Sequence, residues 1–575
     1  MTAALIARAR AWCAADPDPG TRAELADLLQ RGDRAALAAA FAAPLGFGTA
    51  GVRGPLGCGP ARMNRLVVRR LTLGLSRWLA TAAAGQQVRV VVGRDARHGS
   101  AAFAEETIAV LEACGAQVWY LPGPVPTPLV SFAVATLEAD AGVQITASHN
   151  PAGDNGYKVF GAGGPLLGTA EEAALAAACA QIAEPPALPH EPDPLGTRQA
   201  VPEEIRAAYR RALLARLGDA PRSRLTVAYS ALHGVAGAPM LDLLEAAGVG
   251  QVVAVAAQQA PDPDFPTVAT PNPEQPATLA LLAAEADAAG ADLALAHDPD
   301  GDRLAVLVPD PPAGPRILTG DEIGCLLGAH LLAEAATGPA GGSDLVVATT
   351  VVSSRRLARI AAASGAQCRV TPTGFKWLAA ALADAARAGA RPLFAYEQAL
   401  GFMCGTTVWD KDGLGAGLAL VDLAAALAAD DRTLLAALAD LDRRHGVHRT
   451  AARTVALGRI GGADAVQAIL DRVVGGPPGE VAARTLGAVV DYRVQQRWPH
   501  TGAVQATGLP PLDLVAWELA DGSRALLRPS GTEPILKLYL EVVQPADADP
   551  AEATVAAGGR LEVLADTLLA TAGIG

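Results

Sequence analysis

The chain is organised around the stretch TASHNPAGDNGYK, residues 146–158. The residues just before it are apolar and predict a short buried strand, which must stop before Pro151 because proline has no N–H and disfavours helix in its predecessor. Ser148 is therefore expected at a strand end, where a serine can act as a nucleophile beside backbone N–H groups. The turn at 153–156 is expected to bring Lys158 back toward it, as a cation for a phosphoryl group or for proton transfer. The alternative is a surface turn with a solvated lysine.

This stretch resembles the phosphoserine loop of the α-D-phosphohexomutase family, which includes the phosphoglucomutases and phosphomannomutases. In that family the serine carries a phosphate, gives it to a sugar phosphate, and takes a phosphate back from the other end of the resulting bisphosphate. The resemblance implies catalytic roles for Ser148, His149 and Lys158, and it also places Ser148 among the metal ligands.

Composition limits the class of protein. A chain of 575 residues suggests about four domains of roughly 150 residues each. Its hydrophobic content of 51% and charged content of 18% exclude wholesale disorder. The net charge of −13 argues against nucleic acid or an anionic membrane as a partner, because both attract basic surfaces.

Cysteine usage and the N-terminus predict a soluble, cytoplasmic protein. The 7 cysteines are an odd number without a C-x-x-C pair, which favours reduced thiols over a disulfide framework or a zinc site. The first residues lack a signal-peptide core, and no uninterrupted apolar run reaches about 18 residues. Sugar phosphates are the expected small-molecule partners, and the chain is expected to be a monomer or a homodimer.

A repeating pattern predicts the architecture. Glycine-ended helices lead into strands three times, and each repeat continues through a helix and a strand to a loop with a chemical side chain: Ser148, Asp298 and Glu397. The sequence thus predicts three tandem related α/β domains, and the family resemblance adds mixed sheets, a C-terminal α+β domain and an active site in the central cleft. Proline-rich segments at 185–194 and 309–315 are the predicted linkers. The predicted boundaries are 1–43 for an N-terminal helical segment, 44–195, 196–314 and 315–445 for the α/β domains, and 446–575 for the last domain.

The second loop, DPDGDR at residues 298–303, predicts a metal site. Asp298, Asp300 and Asp302 can turn their oxygens on one hard cation and leave positions for a phosphate oxygen and water. An EF-hand is excluded because Pro309 stands where the twelfth-position Glu is required. A plain acidic turn is the other interpretation, but three crowded aspartates without a cation would repel one another. The motif resembles the family's magnesium loop, which implies Mg²⁺ as the cofactor and a place for Arg303 beside the phosphoserine.

Three further loops resemble family motifs. Arg53 lies in the glycine-rich loop FGTAGVRG at 47–54, where it is expected to meet a phosphate. In the third domain the resemblance implies substrate contacts by Thr373, Gly374, Lys376 and Glu397, with Glu397 on sugar hydroxyls. A predicted hairpin then leads into RPSGTEP at 528–534, which can cradle a tetrahedral anion. The expected phosphate-binding residues of this loop are Arg528, Ser530, Gly531 and Thr532.

One residue departs from the family pattern. Many glucose- and mannose-type members have serine two residues after the glutamate, where this chain has Ala399, also a predicted substrate contact. The departure resembles the phosphopentomutase-like branch. For His233, in a glycine-rich turn, a structural role and a ligand contact both stay open.

The function expected from these motifs is a phosphosugar mutase. It interconverts α-D-glucose 1-phosphate and glucose 6-phosphate through a phosphoserine and a bound glucose 1,6-bisphosphate. A phosphopentomutase, acting on ribose or deoxyribose 1-phosphate, and a phosphomannomutase are the alternatives. A sugar-phosphate phosphatase, which would use the same serine and metal but let water take the phosphate, and a non-catalytic sugar-phosphate sensor are less favoured. The sensor is disfavoured because the nucleophile, the carboxylates and the basic residues are all present.

Overall fold

The computed structural model describes residues 3–48, 51–83, 85–188, 193–337, 344–459, 462, 465–530, 535–546 and 549–574. The chain divides into two compact units. The first unit comprises Met1–Leu318 and Ala399–Asp430, and the second comprises Thr319–Gln398 and Asp431–Gly575.

The first unit begins with three helices, α1 Ala3–Ala15, α2 Pro19–Arg31 and α3 Arg34–Ala40. Helix α2 begins after Asp18, whose carboxylate accepts from the N–H groups of the first turn, and it ends at Gly32 in the left-handed conformation. Trp12 and Leu25 are fully buried and belong to the same apolar core as the first sheet. The helices are thereby held against the first α/β domain.

The first sheet is mixed, with strand order β1-β5-β4-β2-β3-β6. Its strands β2, β3, β4 and β6 run parallel, while β5 is antiparallel to both β4 and β1. The elements are β1 Val52–Pro55, α4 Arg65–Ala82, β2 Arg89–Arg94, α5 Ser100–Ala113, β3 Gln117–Tyr120, α6 Thr127–Thr136, β4 Ala141–Ile145, β5 Asp154–Gly161, α7 Thr169–Ala180 and β6 Thr197–Ala200. The strand predicted before residue 146 is confirmed as β4, and the predicted chain reversal after it is confirmed by the β4–β5 pairing.

The second sheet, also in the first unit, has the order β11-β10-β9-β7-β8. Its buried strand β9 runs parallel to β7, and β10 turns back antiparallel to β9. The elements are α8 Glu203–Leu214, a 3₁₀ turn Arg222–Arg224, β7 Thr226–Ser230, α9 Gly237–Ala246, β8 Gln251–Ala254, α10 Ala256–Gln259, a 3₁₀ turn Pro276–Leu279, α11 Ala280–Ala289, β9 Leu293–His297, β10 Leu304–Asp310 and β11 Gly314–Ile317. The loop between β9 and β10 carries the three aspartates of the predicted metal site.

The predicted linker at 309–315 is wrong. Pro309 pairs with Pro315 across the β10–β11 hairpin, so these residues form the edge of the second sheet. Pro315 is tolerated because β11 is the edge strand, and Pro309 is tolerated because the pairing of β10 with β9 ends at Leu307. In the other predicted linker, 185–194, residues 189–192 lie outside the described residues. Strand β6 follows this segment in the chain and pairs with β3 of the first sheet.

The third α/β domain lies in the second unit. Its strand β12 runs parallel to β13 on one side and to β14 on the other. Glu397 is the last residue of β14, which places its carboxylate at the carboxyl end of a parallel strand. The elements are α12 Gly320–Thr337, β12 Leu345–Thr350, α13 Arg356–Ala363, β13 Gln367–Thr371, α14 Phe375–Arg387 and β14 Arg391–Glu397.

The chain then returns to the first unit through β15 Gly401–Cys404 and α15 Gly413–Ala429. Helix α15 is the apolar core helix of that unit, and twelve of its residues are buried. Within the described residues, no single helix has both the length and the low polarity to cross a membrane, although one bent pair, α15 with Leu434–His445, passes by length and composition together.

The last domain, in the second unit, is an antiparallel sheet covered by two helices. Its elements are α16 Leu434–His445, β16 Val447–Ala456, a 3₁₀ turn Leu457–Arg459, α17 Val466–Gly475, β17 Glu480–Val481, β18 Arg484–Asp491, β19 Gln496–Pro499, β20 Gln505–Ala506, β21 Val515–Leu519, β22 Arg524–Pro529, β23 Ile535–Gln544 and α18 Pro550–Ala572. The predicted hairpin is confirmed as β21–β22. Trp517 is buried beneath α17, where its indole N–H donates to the Val473 carbonyl at 3.0 Å. The fold is thus the predicted one, three α/β domains followed by an α+β domain.

A buried carboxylate joins the third and last domains inside the second unit. Glu541 accepts from Arg524 Nε at 2.8 Å, from Ser354 Oγ at 2.6 Å and from His448 Nδ1 at 2.8 Å. Arg524 also donates to the Val351 carbonyl at 2.7 Å. Burial opposes ionisation of Glu541, but Arg524 and the hydrogen bonds outweigh it and hold the pKa well below its usual 4.5. The loop after β12 is therefore held to the last sheet by hydrogen bonds to the buried Arg524–Glu541 ion pair.

We expect Glu541→Gln to lower the free energy of unfolding of the second unit by about 3–5 kcal/mol, because the change leaves Arg524 as an uncompensated buried charge. Since the pKa is lowered on folding, this stabilisation is present above pH 4.5 and is lost as the pH falls. Urea denaturation followed by tryptophan fluorescence measures the difference. The control is Glu562→Gln, whose side chain is 68% exposed beside Arg453 and whose loss should cost less than about 1 kcal/mol. Equal effects of the two changes would contradict the assignment.

Candidate active site

Ser148 lies just beyond β4, on a strained turn. Its φ of 52° is in the left-handed region, which costs a non-glycine residue of order 1–3 kcal/mol. The Ser148 N–H donates to Thr146 Oγ1 at 2.9 Å, and the residue is 1% exposed. The serine hydroxyl is thus directed by the local turn and is shielded from bulk water, as a phosphoryl acceptor needs to be.

Arg97 holds this turn in place and was not predicted from the sequence. One of its terminal nitrogens, Nη2, donates to the carbonyls of Ser148 at 2.5 Å and Asn150 at 2.6 Å. The other, Nη1, donates to the Pro151 carbonyl at 2.8 Å. Asp95 lies 3.4 Å from the same guanidinium and helps to neutralise it. The signal in the sequence was a charged run directly after β2, at the sheet edge that also carries Ser148.

The three aspartates among the predicted metal ligands lie close together. Asp298, Asp300 and Asp302 are buried, and each offers a carboxylate oxygen within 4.8 Å of the others. Ser148 Oγ donates to Asp298 Oδ2 at 2.6 Å, and the Arg303 N–H donates to Asp298 Oδ1 at 3.0 Å. The nucleophile predicted from the first domain therefore contacts the metal loop of the second.

Lys158 is buried between two of these carboxylates. Its Nζ donates to Asp300 Oδ2 at 3.0 Å and to Asp302 Oδ2 at 2.8 Å. Burial alone would lower the pKa of Lys158, but Asp300 and Asp302 outweigh it and raise that pKa. The lysine is therefore a protonated cation, and the alternative of a solvated lysine is wrong.

A second buried lysine, Lys411, was not predicted from the sequence. Its Nζ lies 3.4 Å from Asp302 Oδ2 and 3.3 Å from Asp410 Oδ1. Burial acts to raise the pKa of Asp302, but Lys158 and Lys411 overcome it and hold that pKa well below the usual value. The sequence feature that could have indicated Lys411 is the charged run Trp409-Asp410-Lys411-Asp412-Gly413.

The arrangement fits a divalent cation. Asp300 Oδ1 and Asp302 Oδ1 are buried and have no hydrogen-bond partner among the described residues. Buried carboxylate oxygens are rarely left in this way, because an unsatisfied charged group costs several kcal/mol. Oxygen ligands are what Mg²⁺ prefers. Asp298, Asp300 and Asp302 are thus a suitable donor set, and the buried pair of unpartnered oxygens favours a metal site over a plain acidic turn.

Among the other predicted residues of the first unit, His149 contacts Ser148, and Arg303 and Arg53 lie close enough to His149 to affect its pKa. His149 Nδ1 lies 3.2 Å from Ser148 Oγ, and burial, followed by the charges of Arg303 and Arg53, lowers the pKa of this histidine well below 6.5. Arg53 lies in β1 opposite Gly156 of β5, and its pKa is lowered by burial although the three aspartates oppose the shift. Arg303 Nη1 donates to Glu274 Oε1 at 2.9 Å. His149 is therefore neutral, and the positive charges near it and near the aspartates are those of Arg53, Arg303 and Lys158.

His233 has a structural role in this geometry. It adopts a φ of 59°, its N–H donates to the Gln258 carbonyl at 2.9 Å, and its Nε2 lies 2.8 Å from Thr267 Oγ1. These contacts join two loops of the second domain.

Three predicted substrate residues of the second unit, Thr373, Arg528 and Ser530, lie together. Arg528 donates from Nη1 to Thr373 Oγ1, so the last domain contacts the loop after β13. Gly374 has a φ of 110° at the start of α14, a conformation that favours glycine. The cavity next to this contact has a volume of about 240 Å³. It is lined by Val351, Thr373, Leu512, Asp513, Leu514, Arg528, Pro529 and Ser530.

The remaining predicted residues are placed as follows. Lys376 lies in the first turn of α14, and Glu397 is half-buried at the end of β14. Ala399 belongs to the first unit and is half-buried in the turn between β14 and β15. Gly531 and Thr532 lie outside the described residues, as do Thr49 and Ala50 of the Arg53 loop.

A buried serine beside three carboxylates suited to a hard cation, with lysine and arginine cations around them, is a set of residues suited to phosphoryl transfer. The chain belongs to the α-D-phosphohexomutase family. Family models described as phosphoglucomutase/phosphomannomutase alpha/beta/alpha domains I, II and III match residues 44–185, 207–312 and 319–442, and the model of the C-terminal domain matches residues 496–557. The protein is thus a phosphomutase-type isomerase of a Mg²⁺-dependent family.

Individual relatives carry the names of different sugars. The chain is 31% identical to a phosphopentomutase of Mus musculus, over 96% of this chain and 92% of that protein. It is 32% identical to a phosphoglucomutase of Staphylococcus haemolyticus, over 87% of this chain and 91% of that protein. A crystal structure of a phosphoglucomutase/phosphomannomutase family protein from Burkholderia thailandensis shares the fold, with a TM-score of 0.64 and 22% identity over 92% of this chain and 98% of that one. The relatives agree on a phosphomutase and differ on the sugar.

We expect Asp302→Asn to weaken binding of Mg²⁺ at least tenfold, because it removes one of three anionic ligands and one partner of Lys158. Isothermal titration of the metal-free protein measures the dissociation constant. The control is Asp140→Asn, at the opposite end of β4, where the carboxylate accepts from the Arg89 N–H at 2.7 Å. Metal affinity that is equal in both variants and in the unaltered protein would contradict the ligand assignment.

Proposed function

We propose that the protein interconverts α-D-glucose 1-phosphate and glucose 6-phosphate through a phosphate carried on Ser148 and a bound glucose 1,6-bisphosphate. The observation that supports this most directly is the 2.6 Å hydrogen bond from the buried Ser148 Oγ to Asp298 Oδ2. It puts the serine hydroxyl of the predicted phosphoserine loop on the carboxylates suited to Mg²⁺. Small-molecule sugar phosphates are the proposed partners.

The transfer steps follow from a phosphate on Ser148 Oγ. A hydroxyl oxygen of the sugar phosphate forms a bond to the phosphorus, the Oγ–P bond breaks, and the proton that the sugar hydroxyl loses ends on Ser148 Oγ. The second transfer runs the same exchange backwards at the other end of the bisphosphate, so Ser148 is phosphorylated again and the net reaction is an isomerisation. When bound, Mg²⁺ neutralises negative charge on the transferring phosphoryl group.

The chain's own residues then have separate tasks. Lys158 keeps Asp300 and Asp302 in place and adds a fixed positive charge beside Ser148. Arg303 and Arg53 supply guanidiniums near His149, suited to phosphoryl oxygens. In the second unit, the Glu397 carboxylate is proposed to accept hydrogen bonds from sugar hydroxyls. Arg528 and Ser530 are proposed to hold the phosphate that is not being transferred.

Burial of Ser148 favours a mutase over a phosphatase. Hydrolysis needs a water molecule next to the phosphoserine, and a residue that is 1% exposed restricts water. A non-catalytic sensor would not need a strained serine in contact with a metal-binding carboxylate. The proposed location is the cytoplasm, which the seven free cysteines support. A monomer or a homodimer is the proposed oligomeric state.

A pentose 1-phosphate is the second candidate substrate. Ala399 offers no side-chain hydrogen bond at a position where serine serves many hexose-type members. One neutral hydrogen bond is worth about 0.5–1.5 kcal/mol, or up to about tenfold in affinity. That is too little to exclude hexoses, and the similarity to a phosphopentomutase over 96% of the chain supports including pentoses among the substrates.

Ser148→Ala should abolish mutase turnover, by several orders of magnitude in kcat, because no other group replaces the phosphate carrier. The matched control is Ser131→Ala, which removes a buried hydroxyl that donates to the Gly164 carbonyl at 2.6 Å and should keep activity. Intact-mass analysis should show one phosphate on the unaltered protein and on Ser131→Ala, and none on Ser148→Ala. The proposal fails if Ser148→Ala keeps normal turnover. Net release of inorganic phosphate from sugar phosphates would instead identify a phosphatase.

For the sugar, we expect conversion of both glucose 1-phosphate and ribose 1-phosphate, with kcat/KM values within about tenfold of each other. Ala399→Ser should shift the ratio toward glucose 1-phosphate by up to about tenfold because it restores one hydrogen-bonding group. Steady-state kinetics with the matching bisphosphate measures the ratio. A preference for ribose 1-phosphate far beyond tenfold that Ala399→Ser leaves unchanged would overturn both the glucose assignment and the role of position 399.

A further inference from the structure

Thr127 contacts the metal loop with both its backbone and its side chain. It is the first residue of α6 and is completely buried. Its N–H donates to the Asp300 carbonyl at 2.8 Å, and its Oγ1 donates to Asp300 Oδ2 at 2.6 Å. A residue of the first domain thereby binds the central aspartate of the second domain's loop at two points.

The hydroxyl decides which oxygen of Asp300 is available. Asp300 Oδ2 accepts from Thr127 Oγ1 and from Lys158 Nζ, at 2.6 and 3.0 Å. Asp300 Oδ1 is buried and accepts from no described residue. Two donors on Oδ2 therefore fix the rotation of the carboxylate and leave Oδ1 as its free oxygen.

Thr127 does something that Lys158 cannot do alone. The Lys158 ammonium is shared between Asp300 and Asp302, and every positive charge added here competes with a metal ion for the same carboxylates. A threonine hydroxyl is neutral. It orients Asp300 without cancelling the charge that attracts a cation.

We propose that Thr127 is a positioning residue for the metal site: its hydroxyl holds Asp300 so that Oδ1 faces the divalent cation. The inference rests on the metal site of the proposed function. Partners of metal ligands in other proteins typically change metal affinity 10–100-fold when they are removed. The same range is expected for Thr127.

The test measures Mn²⁺ binding to the metal-free, full-length protein by isothermal titration and by electron paramagnetic resonance of free Mn²⁺. Thr127→Val keeps the shape and removes the hydroxyl, and it should raise the dissociation constant by about 10–100-fold. Thr127→Ser keeps the donor and should restore affinity to within about threefold of the unaltered protein. Thr107→Val is the matched control, because Thr107 is equally buried in the same domain but donates to the Phe103 carbonyl at 2.8 Å, and its Mn²⁺ affinity should not change.

A double-mutant cycle separates positioning from general destabilisation. If the hydroxyl acts through Asp300, Thr127→Val should weaken binding no further in an Asp300→Ala background. If Thr127→Val does not fold, Thr127→Cys takes its place, since it has the size of serine but is a weak donor, and it should also bind Mn²⁺ less tightly than Thr127→Ser.

The outcomes distinguish a failure of the proposed metal site from a failure of the role proposed for Thr127. Failure of the unaltered protein to bind Mn²⁺ would overturn the metal site and this inference together. Normal Mn²⁺ binding by the unaltered protein and by Thr127→Val, or an undiminished effect of Thr127→Val in the Asp300→Ala background, would overturn only the role of Thr127.

Discussion

The buried contact of the Lys158 ammonium with Asp300 and Asp302 is the interaction on which the site depends. It ties β5 of the first sheet to the loop that follows β9 in the second, and both carboxylates are completely shielded from solvent. Carboxylates this close repel one another strongly where the surroundings are not aqueous. Without the lysine, the loop would have to protonate or open before a metal ion arrived. Burial opposes ionisation of Asp300 and Asp302, but the lysine charge helps to hold their pKa values below the usual range, whereas burial followed by the charges of those two raises the pKa of Asp298.

The triad is asymmetric because its other partners differ. Both oxygens of Asp298 are engaged, one by the Ser148 hydroxyl and the other by the Arg303 N–H. Asp300 and Asp302 each keep one oxygen without a described partner. In this state Asp298 contacts the Ser148 hydroxyl, while Asp300 and Asp302 each have one oxygen that can bind a cation. The serine and the metal site therefore share Asp298, and phosphoryl transfer between oxygen atoms requires the two to be adjacent.

Residues whose role comes from local sequence were found in advance, and residues whose role comes from a distant partner were not. The turn around Ser148 and the spacing of the three aspartates follow from short-range rules for strand ends, proline and carboxylate geometry. Thr127 carries no such signal, and the charged run that contains Arg97 does not reveal what Arg97 binds, because the partners of both residues lie 51 residues or more along the chain. The segment at 309–315 was misassigned for a related reason. Its composition is typical of linkers, whereas its pairing in an edge hairpin is a tertiary fact.

The sequence by itself determined the class of chemistry and the order of the domains, and it predicted Ser148 as the nucleophile and three aspartates as metal ligands, since these depend on residue types at fixed short spacings. Only the tertiary structure decided the state of those groups. It made Lys158 a buried cation between two carboxylates, kept the neighbouring His149 neutral, and assigned each carboxylate oxygen a partner or none. The physical reason is that pKa values and hydrogen-bond partners depend on burial and on charges brought close by folding, and no local pattern specifies either.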